Sequence, residues 1–144
     1  MKSPTPHPGL VISYSYLWER DHRHGREDGT KDRPCAIIIA RRIAAGKTII
    51  AVLPITHSSP SDPTAAIEIS PVLKRHLGLD DQRSWIILTE YNEFIWPGPD
   101  VRPVSGKGRG YAYGVLPPAF FNQIRERLLA LIAERRVRPI RRTE

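Results

Sequence analysis

The chain is poor in the residues that staple or anchor proteins. Its 144 residues include one cysteine, Cys35, so no internal disulfide can form and an oxidising compartment offers the fold nothing. Cys35 stands in an apolar run, which suits a small buried hydrophobe better than a nucleophile. No apolar stretch is long: Cys35 to Ala40 and Leu128 to Ala133 reach six residues each, far short of the ~20 that a membrane-crossing helix needs. The opening MKSPTPHPGL carries no apolar core of the secretory kind. The expectation is a soluble, cytoplasmic protein with no membrane partner. Cofactor fingerprints are missing too, since Gly-Lys-Gly-Arg-Gly (106 to 110) lacks the spacing and the following Ser or Thr of a phosphate loop. His22 and His24 with Cys35 complete no tetrahedral set, so neither metal nor cofactor is expected.

Positive charge, by contrast, is plentiful. The formal net charge is +7, which points to a polyanionic partner. The distribution is uneven: the tail RRVRPIRRTE (135 to 144) carries five arginines against Glu144, leaving the body only mildly basic. That tail reads either as a solvated, frayed end or as an auxiliary nucleic-acid contact. The length bounds the chain to one domain, 1 to 144, with the basic tail at its end.

Strand patterns dominate. LVISYSYLW (10 to 18) alternates over part of its length and predicts a half-buried strand. CAIIIA (35 to 40) and TIIAVLPI (48 to 55) are continuous apolar runs separated by turn material, which predicts a hairpin through the core. Pro34 can open the first of these, because the first residue of a strand need not donate to the ladder. AIEIS (66 to 70), SWIILTEY (84 to 91) and NEFIW (92 to 96) add further strands, and PVLKRHLG forms a short helical turn closed by Gly78. In PPAFFNQIRERLLALIAERR, residues Phe120, Phe121, Ile124, Leu128, Leu131 and Ile132 recur at helical spacing, with Pro118 in the first turn. Short strands, one terminal helix and no βαβ alternation predict a small, mainly antiparallel β-barrel with helical decoration. Two polar segments exceed simple turns: 19 to 32, and THSSPSDPT (56 to 64). In the predicted hairpin the start of one strand lies beside the end of the next, so Arg33 and Thr56 emerge at the same edge.

Pro8-Gly9 before the first strand, Lys31-Asp32-Arg33-Pro34 opening the second and Leu53-Pro54-Ile55-Thr56 closing the third together resemble the MazF/PemK toxins of bacterial toxin–antitoxin systems. Ala66 to Ser70, Gly78-Leu79, Trp85 to Glu93 and Tyr113-Gly114-Val115-Leu116 follow in the same order, so the resemblance spans roughly residues 8 to 133. It implies a mainly β, SH3-like barrel of the MazF/CcdB kind with a C-terminal α-helix. It also implies a homodimer, a cognate antitoxin protein as partner, and sequence-selective, metal-independent cleavage of single-stranded RNA such as mRNA. Two other functions are compatible with such a barrel: a nucleic-acid binder without catalysis, and a gyrase poison.

Cleavage through the 2′-hydroxyl needs a base for that proton, a proton for the departing 5′-oxygen and fixed donors for phosphoryl charge. Arg33 offers a planar fork to two phosphate oxygens, and the resemblance makes it the first catalytic candidate, with Thr56 donating its hydroxyl. The alternative for Arg33 is a strand-end salt bridge with Asp32 or Glu27. For the base, His57 comes first, because histidine as a class titrates near neutrality; Asp28 or Glu27 come next. Candidate RNA contacts are Lys31, Ser58, Trp96, Lys107 and Arg109, with Trp96 the most exposed of three tryptophans that could stack on unpaired bases.

Overall fold

Two β-branched, apolar segments lie side by side at the centre of the molecule. In the computed structural model, which describes residues 5–29, 31–105 and 110–142, they are β2 (Asp32–Arg42) and β3 (Thr48–Thr56), joined through a 3-10 turn at Ala44–Gly46. Before them come β1 (Leu10–Ser15) and a one-turn helix α1 (Glu19–Arg23), so part of the first long polar segment is helical. After them come β4 (Ala66–Ile69), α2 (Pro71–His76), β5 (Ser84–Ile87), β6 (Glu90–Ile95), β7 (Ala112–Val115), α3 (Pro118–Ala133) and β8 (Arg138–Arg141).

The strands form one sheet in the order β4-β5-β3-β2-β1-β7, and β6 attaches to β3 and carries β8. All described pairings are antiparallel except β6 with β8. β3 is the branch. Its Ile49 to Val52 pair with β6, whereas Ile55 and Thr56 pair with β5. A strand that changes neighbours along its length bends the sheet around itself, and the result is a curled antiparallel half-barrel, mainly β, with one long helix near the C-terminus.

Alternation sorts the strand residues into two cores. Val11, Ala36, Leu53 and Ile55 face Leu73 and Leu77 at α2 and Ile124, Leu128 and Leu131 of α3. Ile12, Tyr14, Cys35, Ile37, Ile50 and Val52 meet Phe94 and Val101 on the other side. Cys35 is fully buried there, and burial pushes its thiol pKa far up, which leaves it inert as a nucleophile. β1 departs from the expected half-buried strand: all six residues are buried, because both faces are covered.

Two further expectations change. Ile132 is about half exposed, since the buried stripe of α3 is Ile124, Leu128 and Leu131 and position 132 lies at its margin. The long helix is also not the last element: part of the tail is ordered as a strand, although Arg135, Arg138 and Arg141 remain exposed. Arg138 to Arg141 pair with Glu90 to Glu93 as β8, and Arg142 is buried. Its guanidinium donates to the Ser15 carbonyl at 2.7 Å, to Tyr14 Oη and Asn92 Oδ1 at 3.2 Å each, and pairs with Asp100 at 3.1 Å. The arginine-rich composition hid one side chain that satisfies an internal polar cluster. Among the described residues no helix is long and apolar enough to cross a membrane.

Candidate functional site

The β2–β3 ladder delivers the two leading candidates to one edge. Its last described pair at this end is Cys35 with Pro54, and the same count carried two residues further sets Arg33 opposite Thr56. There the strands separate, because β3 turns to β5 through the pair Thr56 with Trp85. Pro34 and Pro54 have no N–H to lose where the ladder ends. The opening is a two-lobed groove. One lobe, about 250 Å³, is bordered by Leu79, Asp80 and Tyr113, and the other, about 380 Å³, by Trp18, Ser58 and Glu90. Lys31, Arg33, Thr56 and His57 border both, so they form the saddle between the lobes.

Arg33 is half-buried, and its guanidinium carbon lies 5.0 Å from the centre of the Trp18 ring. Its Nε is buried without a hydrogen-bond partner. No ion pair forms between Arg33 and a carboxylate among the described residues, so the strand-end salt bridge with Asp32 or Glu27 is not made. Burial lowers its pKa, with Cys35 and Tyr16 acting in the opposite direction. A partly desolvated cation on an aromatic face, with no carboxylate partner among the described residues, attracts negative charge.

Thr56 Oγ1 accepts the Ser58 N–H at 3.2 Å, and its own hydroxyl hydrogen is not used in that bond. His57 Nε2 lies 2.8 Å from Asp80 Oδ2. Asp80 Oδ1 in turn accepts from the Lys74 ammonium at 2.8 Å. That ammonium, nearly buried, also donates to the Gln82 carbonyl. The Lys74 hydrogen bond, first among several causes, holds the Asp80 carboxyl below the usual aspartate range. An ionised carboxylate accepts and does not donate, so Nε2 carries the hydrogen, and in the neutral ring the lone pair is then on Nδ1. The turn that places Asp80 follows from sequence: Gly78 adopts φ +65° and donates to Arg75 O, while Leu79 donates to Lys74 O. This is the left-handed helix stop that the glycine predicts.

The groove includes three residues that the sequence reading did not single out for the site: Asp80, Glu90 and, as the groove's aromatic, Trp18. Glu90 Oε1 accepts both the Tyr16 hydroxyl at 3.0 Å and the Glu19 N–H at 2.9 Å. Burial raises its pKa despite those bonds. A charged residue opening a strand directly after an apolar one was the available signal. Of the expected residues, Lys31 and Ser58 border the groove. Asp28 and Glu27 do not; they sit in an exposed loop whose Glu27 carbonyl is taken by Arg142. Trp96 is elsewhere. Its N–H bonds Thr48 O at the start of β3, roughly 25 Å of strand from Thr56, and its ring lies against Phe94. Lys107 and Arg109 lie outside the described residues.

No protein-family model matches this chain, and no curated protein matches it either. Among the described residues no group of three or more His, Cys, Asp or Glu side chains gathers as metal ligands would.

Proposed function

We propose that this chain is a metal-independent endoribonuclease of the MazF/PemK kind, cutting single-stranded RNA across the saddle formed by Arg33, Thr56 and His57. The observation that carries the reading is the Arg33 guanidinium, desolvated, without a carboxylate partner and open to a groove that also holds a hydroxyl and an imidazole. In the reaction the scissile phosphate lies against Arg33, with Thr56 donating to a phosphoryl oxygen. His57 Nδ1 takes the proton of the 2′-hydroxyl as that oxygen attacks phosphorus, and Asp80 holds the imidazole in register. The P–O5′ bond breaks and a 2′,3′-cyclic phosphate remains. The departing 5′-oxygen takes its proton from water while the Arg33 guanidinium steadies the charge on it.

The same reading makes the protein a toxin that works as a homodimer and is silenced by an antitoxin. A basic protein with a groove for unpaired RNA suits an acidic, disordered antitoxin segment. The test is a labelled single-stranded RNA incubated with purified protein in chelator-containing buffer. Cleavage is expected to leave cyclic-phosphate ends, to stop when the attacking nucleotide is 2′-deoxy, and to fall about 10²–10³-fold in Arg33→Ala, as loss of a fixed charge donor does. An intact RNA, or an Arg33→Ala variant that cuts like the wild type, would overturn the proposal.

A further inference from the structure

The lobe of the groove beside Trp18 contains a carboxylate whose role the chemistry of phosphodiester cleavage does not use. Glu90 borders this depression of about 380 Å³ together with Arg33 and Arg20, yet no ion pair joins it to either among the described residues. Opposite charges that share a depression and remain apart leave room for something between them. The carboxylate is also asymmetric in its bonding. Oε1 accepts two donors, Tyr16 Oη and Glu19 N, which fills its lone pairs and fixes the plane of the group. Oε2 accepts none from the described residues.

Closing α1 requires little of a carboxylate. A neutral oxygen at the Oε1 position would take the same two donors without a desolvated charge, and burial here works against the charged form. A group kept at a cost to stability beside a substrate groove is expected to serve the substrate.

Resting on the reading of this groove as an RNA site, we propose that Glu90 Oε2 selects the nucleobase next to the scissile phosphate, accepting one that carries an exocyclic amine and rejecting uracil. Cytosine, adenine and guanine each present an –NH₂ that a fixed acceptor can take. Uracil presents carbonyl oxygens on both sides of its single N–H, and these face the carboxylate with like charge. The neighbouring Arg33, held on Trp18, fixes the backbone phosphate and so sets how far the base can reach into the lobe.

The experiment measures binding rather than cleavage, so that recognition and chemistry are read separately. Short single-stranded oligonucleotides, 2′-deoxy throughout to prevent attack, are compared by fluorescence anisotropy with cytosine or uracil at each position in turn. At one position wild-type protein is expected to prefer cytosine by about tenfold or more, the discrimination a good base contact supplies. Adenine replaced by unsubstituted purine at that position should lose the same factor, a measurement that needs no variant. In Glu90→Gln the two donors to Oε1 fix the amide oxygen in place, so its –NH₂ replaces Oε2 and the preference should fall to parity or invert toward uracil. Equal binding of cytosine and uracil at every position, or a preference that survives both amine removal and Glu90→Gln, would overturn the inference while leaving Arg33-dependent binding intact. Absence of any binding that depends on Arg33 would overturn the RNA reading and this inference with it.

Discussion

Replacing Asp100 with alanine tests whether the arginine-rich tail is part of the fold. The Arg142 side chain is 1% exposed and that of Asp100 11%, with 3.1 Å between Nη2 and Oδ2. Removing one partner of a buried pair leaves the other charge uncompensated, which costs about 3–5 kcal/mol. Arg142 keeps the Ser15 carbonyl at 2.7 Å and weaker bonds to Tyr14 and Asn92, so the lower end, about 3 kcal/mol, is expected. Against a whole stability of about 5–15 kcal/mol that is a large fraction. In a chain of this length it amounts to a fall in Tm of roughly 10 °C. Urea unfolding at neutral pH should show a lower midpoint with an unchanged slope. Combining Asp100→Leu with Arg142→Met should recover more than half of the loss, because the lone buried charge goes with its partner. A loss below about 1 kcal/mol in Asp100→Ala would refute the reasoning, since a solvated tail has nothing to lose there.

Three further outcomes follow from other parts of the molecule. Arg135 ends α3 with φ +58°, a conformation that suits glycine, so Arg135→Gly should raise stability by a few tenths to about 1 kcal/mol in the same urea assay. Burial raises the pKa of Tyr14, Tyr16 and Cys35. Their neutral forms therefore favour the fold fully below the unfolded values of about 8.5 to 10, and this contribution is lost as pH rises through that range toward the folded values. Urea midpoints should fall above about pH 9, and tyrosinate absorbance from these two tyrosines should appear only with unfolding. On the proposed function, Asp80→Ala, which removes the carboxylate that holds His57, should lower RNA cleavage ten- to a hundredfold in kcat with little change in KM. A change confined to KM would mean that Asp80 only binds substrate.

What could be read from the sequence depended on whether a signal was local. The hairpin of β2 and β3 was legible because continuous β-branched runs need two covered faces, and the register then brought Arg33 and Thr56 to one edge without further information. Gly78 as a left-handed stop and the buried Cys35 were legible for the same reason. β8 was not. RRVRPIRR carries no alternation, and it forms a strand because Glu90 to Glu93 offer an open edge and Arg142 finds an internal acid 42 positions earlier in the chain. Asp80 and Glu90 were missed because their partners, His57, Lys74, Tyr16 and Glu19, come from other elements. Trp96 stands out in the sequence for its neighbouring Pro-Gly turn, and it is as partly exposed as Trp18, but of the two only Trp18 meets the end of β3 where the groove lies.

That end of β3 explains why the groove exists at all. A strand whose two halves bond different neighbours must leave a wedge where the first partner stops and the second begins. Backbone groups inside such a wedge would lack partners, and Pro54, between the β3 residues that pair with β6 and those that pair with β5, has no N–H to leave there. Side chains then fill the wedge from both sides: Arg33 from the diverging start of β2, Thr56 and His57 from the end of β3, Asp80 from beyond α2 and Glu90 from the start of β6. The curl that closes the half-barrel and the opening that collects five polar side chains are thus one feature of the sheet. A substitution that straightened β3 would remove both together.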